Sequence, residues 1–386
     1  MKIDTLVVKG IESHDNPHKA VIPPIYLAST YIQDELGNFQ EYAYQRGGNP
    51  TRAAFEKLFA QVEGSKYAYA FASGMAATTA VFNLLKTGDK VLLNNNVYGG
   101  TYRYVSGIFQ NQGISYEMVD DFNALTEADL DDKVRFIFIE TPSNPLLRVT
   151  DLERVVRLAH SKGIKVIADN TFMTPYCQKC LNFGVDIVVY SATKYIGGHA
   201  DVLAGLVATN DDAVAERIKF IQKTLGAMLS PFDTYSLIRG IKTLSVRMDR
   251  QMDNTHAIID FLESHEGVKT VHYAGSHSRE EKAVHSKQAK DIGAVISIEL
   301  ADGYDETAFV KGLKFFDLAV SLGGVESLIC QPAFMTHESY PAQLRAQIGI
   351  NDGLLRLAVG IENKDDLIAD LAGALKGDRK STRLNS

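Results

Sequence analysis

From about residue 66 the chain alternates short apolar runs with longer amphipathic stretches, and this alternation constrains its fold more than any other feature. The runs are YAYAFA (67–72), KVLLN (90–94), ISYEMV (114–119), RFIFIE (135–140), KVIAD (165–169), DIVVYS (186–191) and GLVAT (205–209). Runs this short and this continuously apolar suit strands buried on both faces, as in a parallel sheet whose crossover helices cover both sides. The intervening stretches, among them residues 75–86, the segment after Gly99 and residues 151–161, have the length and period of such helices. The pattern predicts a doubly wound α/β domain with a mostly parallel sheet over residues 46–232.

After about Phe232 the rhythm changes. A long helix is expected through residues 235–261, followed by strand-like VKTVHY, GAVISIEL and LRLAVG with helical stretches at 306–313 and 365–374. This reads as a smaller α+β domain over 233–376, and a chain of 386 residues exceeds what one core supports. Residues 1–45, with His14-Asp15-Asn16-Pro17 and Pro23-Pro24, read as an extended arm. The final GDRKSTRLNS (377–386) is basic and poor in apolar groups, and is expected to be a disordered or non-native tail.

In open α/β sheets ligands bind beyond the carboxyl ends of the strands, so polar residues directly after the apolar runs are the first candidates. Ser73-Gly74-Met75 opens a helix whose free N–H groups suit a phosphate, and Thr141-Pro142-Ser143-Asn144-Pro145 is a stiff turn presenting the Asn144 amide. Asp169 ends a buried run, where a carboxylate needs a cationic partner. Lys194 comes after DIVVYS among hydroxyls and glycines. An amine, a phosphate seat and a buried acid together are what pyridoxal phosphate (PLP) requires.

Ser191-Ala192-Thr193-Lys194-Tyr195 resembles the lysine signature of the Cys/Met-metabolism PLP-dependent enzymes, which include cystathionine lyases and synthases. The resemblance extends through Tyr44-Gln45-Arg46, Ala72-Ser73-Gly74-Met75, Val97-Tyr98-Gly99-Gly100-Thr101, the 140–145 turn, Asp169-Asn170-Thr171, Ser321-Leu322-Gly323-Gly324 and Arg356-Leu357-Ala358-Val359-Gly360, to about residue 376. It implies the aspartate-aminotransferase fold (fold type I), with a seven-stranded type of sheet. By the same resemblance, Lys194 holds the cofactor as an imine and then shuttles protons, and Asp169 keeps the pyridine nitrogen protonated. Gly74, Met75, Ser191 and Thr193 hold the phosphate, Tyr98 stacks on the ring and aids proton transfer, and Asn144 lies near the ring hydroxyl. Arg356 grips the substrate carboxylate, in a pocket also lined by Ser321, Asn144 and Tyr98. Tyr44 and Arg46 reach the phosphate of a neighbouring subunit, which implies a homotetramer built from active dimers.

The resemblance also bears on the reaction. Methionine γ-lyases of the family carry a cysteine where this chain has Gly100, and the synthases carry a glutamate where it has Val320. Elimination is therefore expected: a carbon–sulfur lyase that cleaves L-cystathionine to cysteine, 2-oxobutyrate and ammonia, with β-elimination to homocysteine, pyruvate and ammonia beside it. The alternative is γ-replacement, by a cystathionine γ-synthase or an O-acylhomoserine sulfhydrylase. A non-catalytic PLP-binding regulator is a remoter reading, since no helix-turn-helix pattern precedes residue 40.

A net charge of −7 argues against nucleic acid as a partner, and no run nears the roughly 20 apolar residues that span a bilayer. The start lacks the apolar core of a secretory signal, and Cys177, Cys180 and Cys330 are too few for a disulfide framework, so a cytoplasmic location is expected. Cys177-Gln178-Lys179-Cys180 is read as packing, His199 as structural, and no metal is expected.

Overall fold

The computed structural model describes residues 1–11 and 18–377; the expectations placed on residues 14–17 and on the tail from residue 378 lie outside that range. Each apolar run forms a strand: β1 (Tyr67–Phe71), β2 (Lys90–Asn94), β3 (Ser115–Val119), β4 (Val134–Glu140), β5 (Lys165–Asp169), β6 (Ile187–Ser191) and β7 (Gly205–Thr209). They make one 7-stranded sheet in the order β1-β7-β6-β5-β4-β2-β3. Only β7 runs against its neighbours, β1 and β6, so the sheet is mostly parallel. In β4, Ile137 and Ile139 join one apolar cluster while Phe136 and Phe138 join another; in β5, Val166 and Ala168 oppose Ile167 in the same way. Burial on both faces is why these runs carry no polar alternation.

A second, 5-stranded sheet comes next in the chain, built from β8 (Val268–His272), β9 (Val295–Leu300), β10 (Asp317–Leu318), β11 (Leu328–Cys330) and β12 (Leu355–Ala358), in the order β10-β11-β12-β9-β8. Ile296, Ile298 and Leu357 from this sheet pack with Leu262 of the Leu244–Ser264 helix and Leu371 of the Lys364–Gly377 helix.

Two local expectations change. The single helix expected through 235–261 is two, Pro231–Ile241 and Leu244–Ser264. At the break, Thr243 Oγ1 (3.1 Å) and Arg247 Nη2 (2.9 Å) both donate to the Gly240 carbonyl, diverting an acceptor that a continuous helix would use. The N-terminal arm begins with a short helix, Ile3–Lys9, whose Val7 is buried with Phe55, Leu58 and Phe59. Those partners lie on the Pro50–Glu63 helix, whose Asn49 side chain caps Thr51 N and Arg52 N and whose Pro50 needs no intrahelical partner.

That helix ends on a buried acid. Glu63 Oε2 accepts from Tyr190 Oη at 2.5 Å, and Asn170 Nδ2 donates to the same hydroxyl at 3.0 Å, just after Asp169 at the end of β5. Burial pushes the Glu63 carboxyl up to about 8, against the weaker opposing effects of the Tyr190 hydrogen bond and the Lys179 charge. The folded chain therefore keeps a proton that the unfolded chain releases near an ordinary glutamate pKa of about 4.3. This contribution to stability is consequently fully present below that value and is lost as pH rises through about 8. Melting curves should show stability falling across this window, by at most about 1.4 kcal/mol per pH unit from this one group. Glu63→Gln should remove that part of the slope; an unchanged slope would show that Glu63 is ionised in the folded protein.

Candidate active site

Because the strands other than β7 run parallel, the carboxyl ends of β1, β2, β4, β5 and β6 open onto one rim. There a cavity of about 440 Å³ is lined by Gly74, Met75, Tyr98, Asn144, Asp169, Ser191, Thr193 and Lys194 from the first sheet, with Ser321 and Arg356 from the second. These residues come from widely separated stretches of chain, and each was singled out in the sequence.

The β1 end leads into the Gly74–Phe82 helix, where Ser73 Oγ accepts from Ala76 N at 3.0 Å. The N–H groups of Gly74 and Met75 have no intrahelical acceptor and stand at the positive end of the helix dipole. A Cβ on Gly74 would come within 2.9 Å of Ser191 Oγ, so glycine is what lets that hydroxyl sit against the helix terminus. Thr193 Oγ1 accepts from Ala204 N at 3.0 Å, holding the loop after β6 against the start of β7.

Glu140 and Asp169 end the adjacent strands β4 and β5 in register. Asp169 Oδ1 accepts from Thr171 N at 3.0 Å, and Thr171 Oγ1 accepts from Ser191 N at 2.8 Å. Burial raises the Asp169 carboxyl; burial and then the Asp169 charge raise Glu140 well above the usual carboxylate range. Glu140 Oε1 also accepts from Tyr98 N at 2.8 Å, which fixes the backbone that carries the tyrosine. A Cβ on Gly100 would lie 2.5 Å from Tyr98 Cε1, so the tyrosine ring occupies the space that a side chain at position 100 would need.

Lys194 Nζ donates to Ser321 Oγ at 2.8 Å. Arg356 Nη2 donates to the Ser321 carbonyl and Nη1 to Asn144 Oδ1, both at 2.9 Å, while its Nε has no partner among the described residues. Burial, and then the Arg356 charge, bring the Lys194 amine down to about 8.

Tyr44 and Arg46 stand apart from the cavity. Arg46 Nη1 donates to the Lys223 carbonyl at 3.1 Å, and its guanidinium lies 5.7 Å from the Tyr44 ring centre. Glu140, Arg103, Phe172, Leu203 and Thr336 line the cavity without having been assigned a role from sequence. Glu140 offered the same signal as Asp169, an acid closing an apolar run. His199 Nδ1 pairs with the Gly197 carbonyl at 2.8 Å, and Cys177 and Cys180 are buried in the core with their thiols pushed up by burial.

The donor set suits PLP: free N–H groups and hydroxyls at a helix terminus for a phosphate, a buried acid with no cation paired to it among the described residues for a pyridine nitrogen, and a readily neutralised amine for an aldehyde. The rate at which PLP captures Lys194 in the cofactor-free protein should rise about tenfold per pH unit and level off near pH 8. A plateau reached only above about 10.4 would mark an ordinary solvated lysine.

Comparison with known proteins agrees with this geometry. The chain is 46% identical over 375 residues to cystathionine beta-lyase of Lactococcus lactis subsp. cremoris (strain MG1363), covering 97% of this chain and 99% of that protein. It is 44% identical over 377 residues to cystathionine gamma-lyase of Bacillus subtilis (strain 168), covering 97% and 100%. The crystal structure of cystathionine gamma-lyase from Lactobacillus plantarum complexed with L-serine superposes with a TM-score of 0.95 at 42% identity, covering 98% of this chain and 99% of that one. Residues 4–376 match the pattern of one family throughout, and the chain belongs to it: the Cys/Met metabolism PLP-dependent enzymes.

Proposed function

We propose that the protein is a carbon–sulfur lyase that cleaves L-cystathionine by α,γ-elimination to cysteine, 2-oxobutyrate and ammonia, with β-elimination to homocysteine, pyruvate and ammonia on the same residues. The observation that carries this reading is the Ser321 bridge, whose hydroxyl accepts from Lys194 while its carbonyl accepts from Arg356. A base and a carboxylate clamp therefore meet at one residue, as removal of a proton from the α-carbon of an amino acid requires. The names of the relatives support the choice of substrate. So does Arg103 on the cavity wall, a second cation for a substrate with two carboxylates.

In this reading Arg356 binds the α-carboxylate and Lys194, in its neutral form, takes the Cα proton. Bound PLP supplies the electron sink for the charge left at that carbon. Asp169 would keep a proton on the ring nitrogen, Asn144 would meet the ring hydroxyl, and Gly74, Met75, Ser191 and Thr193 would hold the phosphate. Tyr98, seated over Gly100, would stack on the ring, and its phenol would assist proton transfer. Val320, on the rim, is half exposed and apolar, so it offers no acid to orient an incoming nucleophile for replacement.

The reading extends to assembly. Tyr44 and Arg46 complete the phosphate site of a second copy, and the chains form a homotetramer in the cytoplasm. Sedimentation should give four times the 42.4 kDa of one chain, and Arg46→Ala should weaken phosphate retention; a monomer with full activity would exclude this arrangement.

Purified protein with PLP should absorb near ~420 nm. With L-cystathionine it should release free thiol and 2-oxoacid together, and Lys194→Ala should lower the rate by about 10³-fold or more. Turnover confined to making cystathionine from an acylhomoserine and cysteine would overturn the lyase assignment.

A further inference from the structure

Ser321 is held in a backbone conformation that few residues adopt, with φ +98. Both of its polar contacts with the site depend on that turn: Lys194 Nζ to its hydroxyl and Arg356 Nη2 to its carbonyl. A strained turn persists only where its surroundings over-determine it, so something must hold the 321–324 segment in place.

Two contacts do so. Gly323, at φ +78, presses on the backbone after Lys194, where an added Cβ would stand 2.6 Å from Tyr195 N. On the other side, Gln251 from the Leu244–Ser264 helix donates its Nε2 to the Gly324 carbonyl at 2.7 Å. Gln251 is fully buried, and its Oε1 has no partner among the described residues. The carbonyl of Gly324 can only accept, so the side chain is oriented by this one bond. The apolar contacts of Leu322 alone would leave the turn free to slide, because they are not directional.

We infer that Gln251 is a positioning residue: its amide clamps the Gly324 carbonyl and thereby aims Ser321 at Lys194 and Arg356 together. It touches neither cofactor nor substrate and acts through the turn. When the clamp is lost, Arg356 loses the alignment of its backbone acceptor, and the grip on a substrate carboxylate loosens before the proton transfer itself is impaired. The inference rests on the proposed roles of Arg356 and Lys194. If wild-type enzyme fails to cleave cystathionine, those roles fall; if it cleaves and the Gln251 variants behave as wild type, only the inference falls.

The test uses PLP-loaded enzyme and glycine, a carboxylate-bearing amine with no group to eliminate, and reads the change in cofactor absorbance. Gln251→Leu keeps the volume and removes the donor; Gln251→Glu keeps the polarity and, read at a pH where its carboxyl is ionised, presents an acceptor to a carbonyl. Both should raise the glycine dissociation constant and the KM for cystathionine by about tenfold, with kcat falling less than about threefold. Cofactor absorbance and loading should stay at wild-type levels. Folded, fully loaded variants with unchanged glycine affinity and KM would overturn the inference, as would a change confined to melting temperature, which marks a purely structural residue. Should Gln251→Glu fail to fold, Gln251→Leu decides alone on the same two measurements.

Discussion

The cavity depends on the close approach of two backbones, the Gly323 turn and the Lys194–Tyr195 segment. No side chain fits between them, since a Cβ on Gly323 would stand 2.6 Å from one backbone nitrogen and 3.0 Å from the Lys194 carbonyl carbon. That contact joins the end of β6 to the loop before β11, and so brings an amine from the parallel sheet against a serine and an arginine carried by the second sheet. Neither sheet alone holds a working set of groups. The register of β12, which pairs Arg356 with Cys330 on one side and Ser297 on the other, supplies the remaining rigidity.

The same closure sets the electrostatics. Water is displaced from around Asp169, Glu140 and Lys194, and each responds in the direction that favours its neutral form: the acids rise and the amine falls. The Asp169 charge raises Glu140 further across adjacent strands, while Arg356 pushes Lys194 further down. A phosphate at the helix terminus and a carboxylate at Arg356 would bring negative charge to free backbone N–H groups and to a guanidinium whose Nε is unpaired among the described residues.

Much of this was legible in the sequence because strands buried on both faces must be apolar throughout, and because a parallel sheet gathers its strand ends on one side. Asp169, Lys194 and Ser73-Gly74-Met75 are each found at or just beyond the carboxyl end of an apolar run. Glu140 obeys the same rule and was passed over, since its motif reads as a turn rather than as an acid. The Pro50–Glu63 helix announces itself through Asn49 and Pro50, yet no strand rhythm flanks it. Features that depend on distant partners could not be read. The break at Lys242–Thr243 arises from competition for one carbonyl between side chains three and seven residues away. The strain at Ser321 and the burial of Gln251 arise from packing between elements about 70 residues apart.

Tyr44 and Arg46 mark the other limit of reading one chain. The segment that carries them leaves large apolar side chains in water, with Leu27 68%, Ile32 94% and Phe39 75% exposed. An isolated chain gains nothing by ordering such a segment, because ordering costs conformational entropy and here returns little burial. Its few internal ties, such as the bridge between Thr30 and Tyr44 and the Gln33 amide on the Tyr42 carbonyl, define a shape without a core. A second copy of the chain lying over this surface would bury it. In the proposed assembly the apolar arm is therefore the element that carries Tyr44 and Arg46 to a cavity which their own chain does not let them reach.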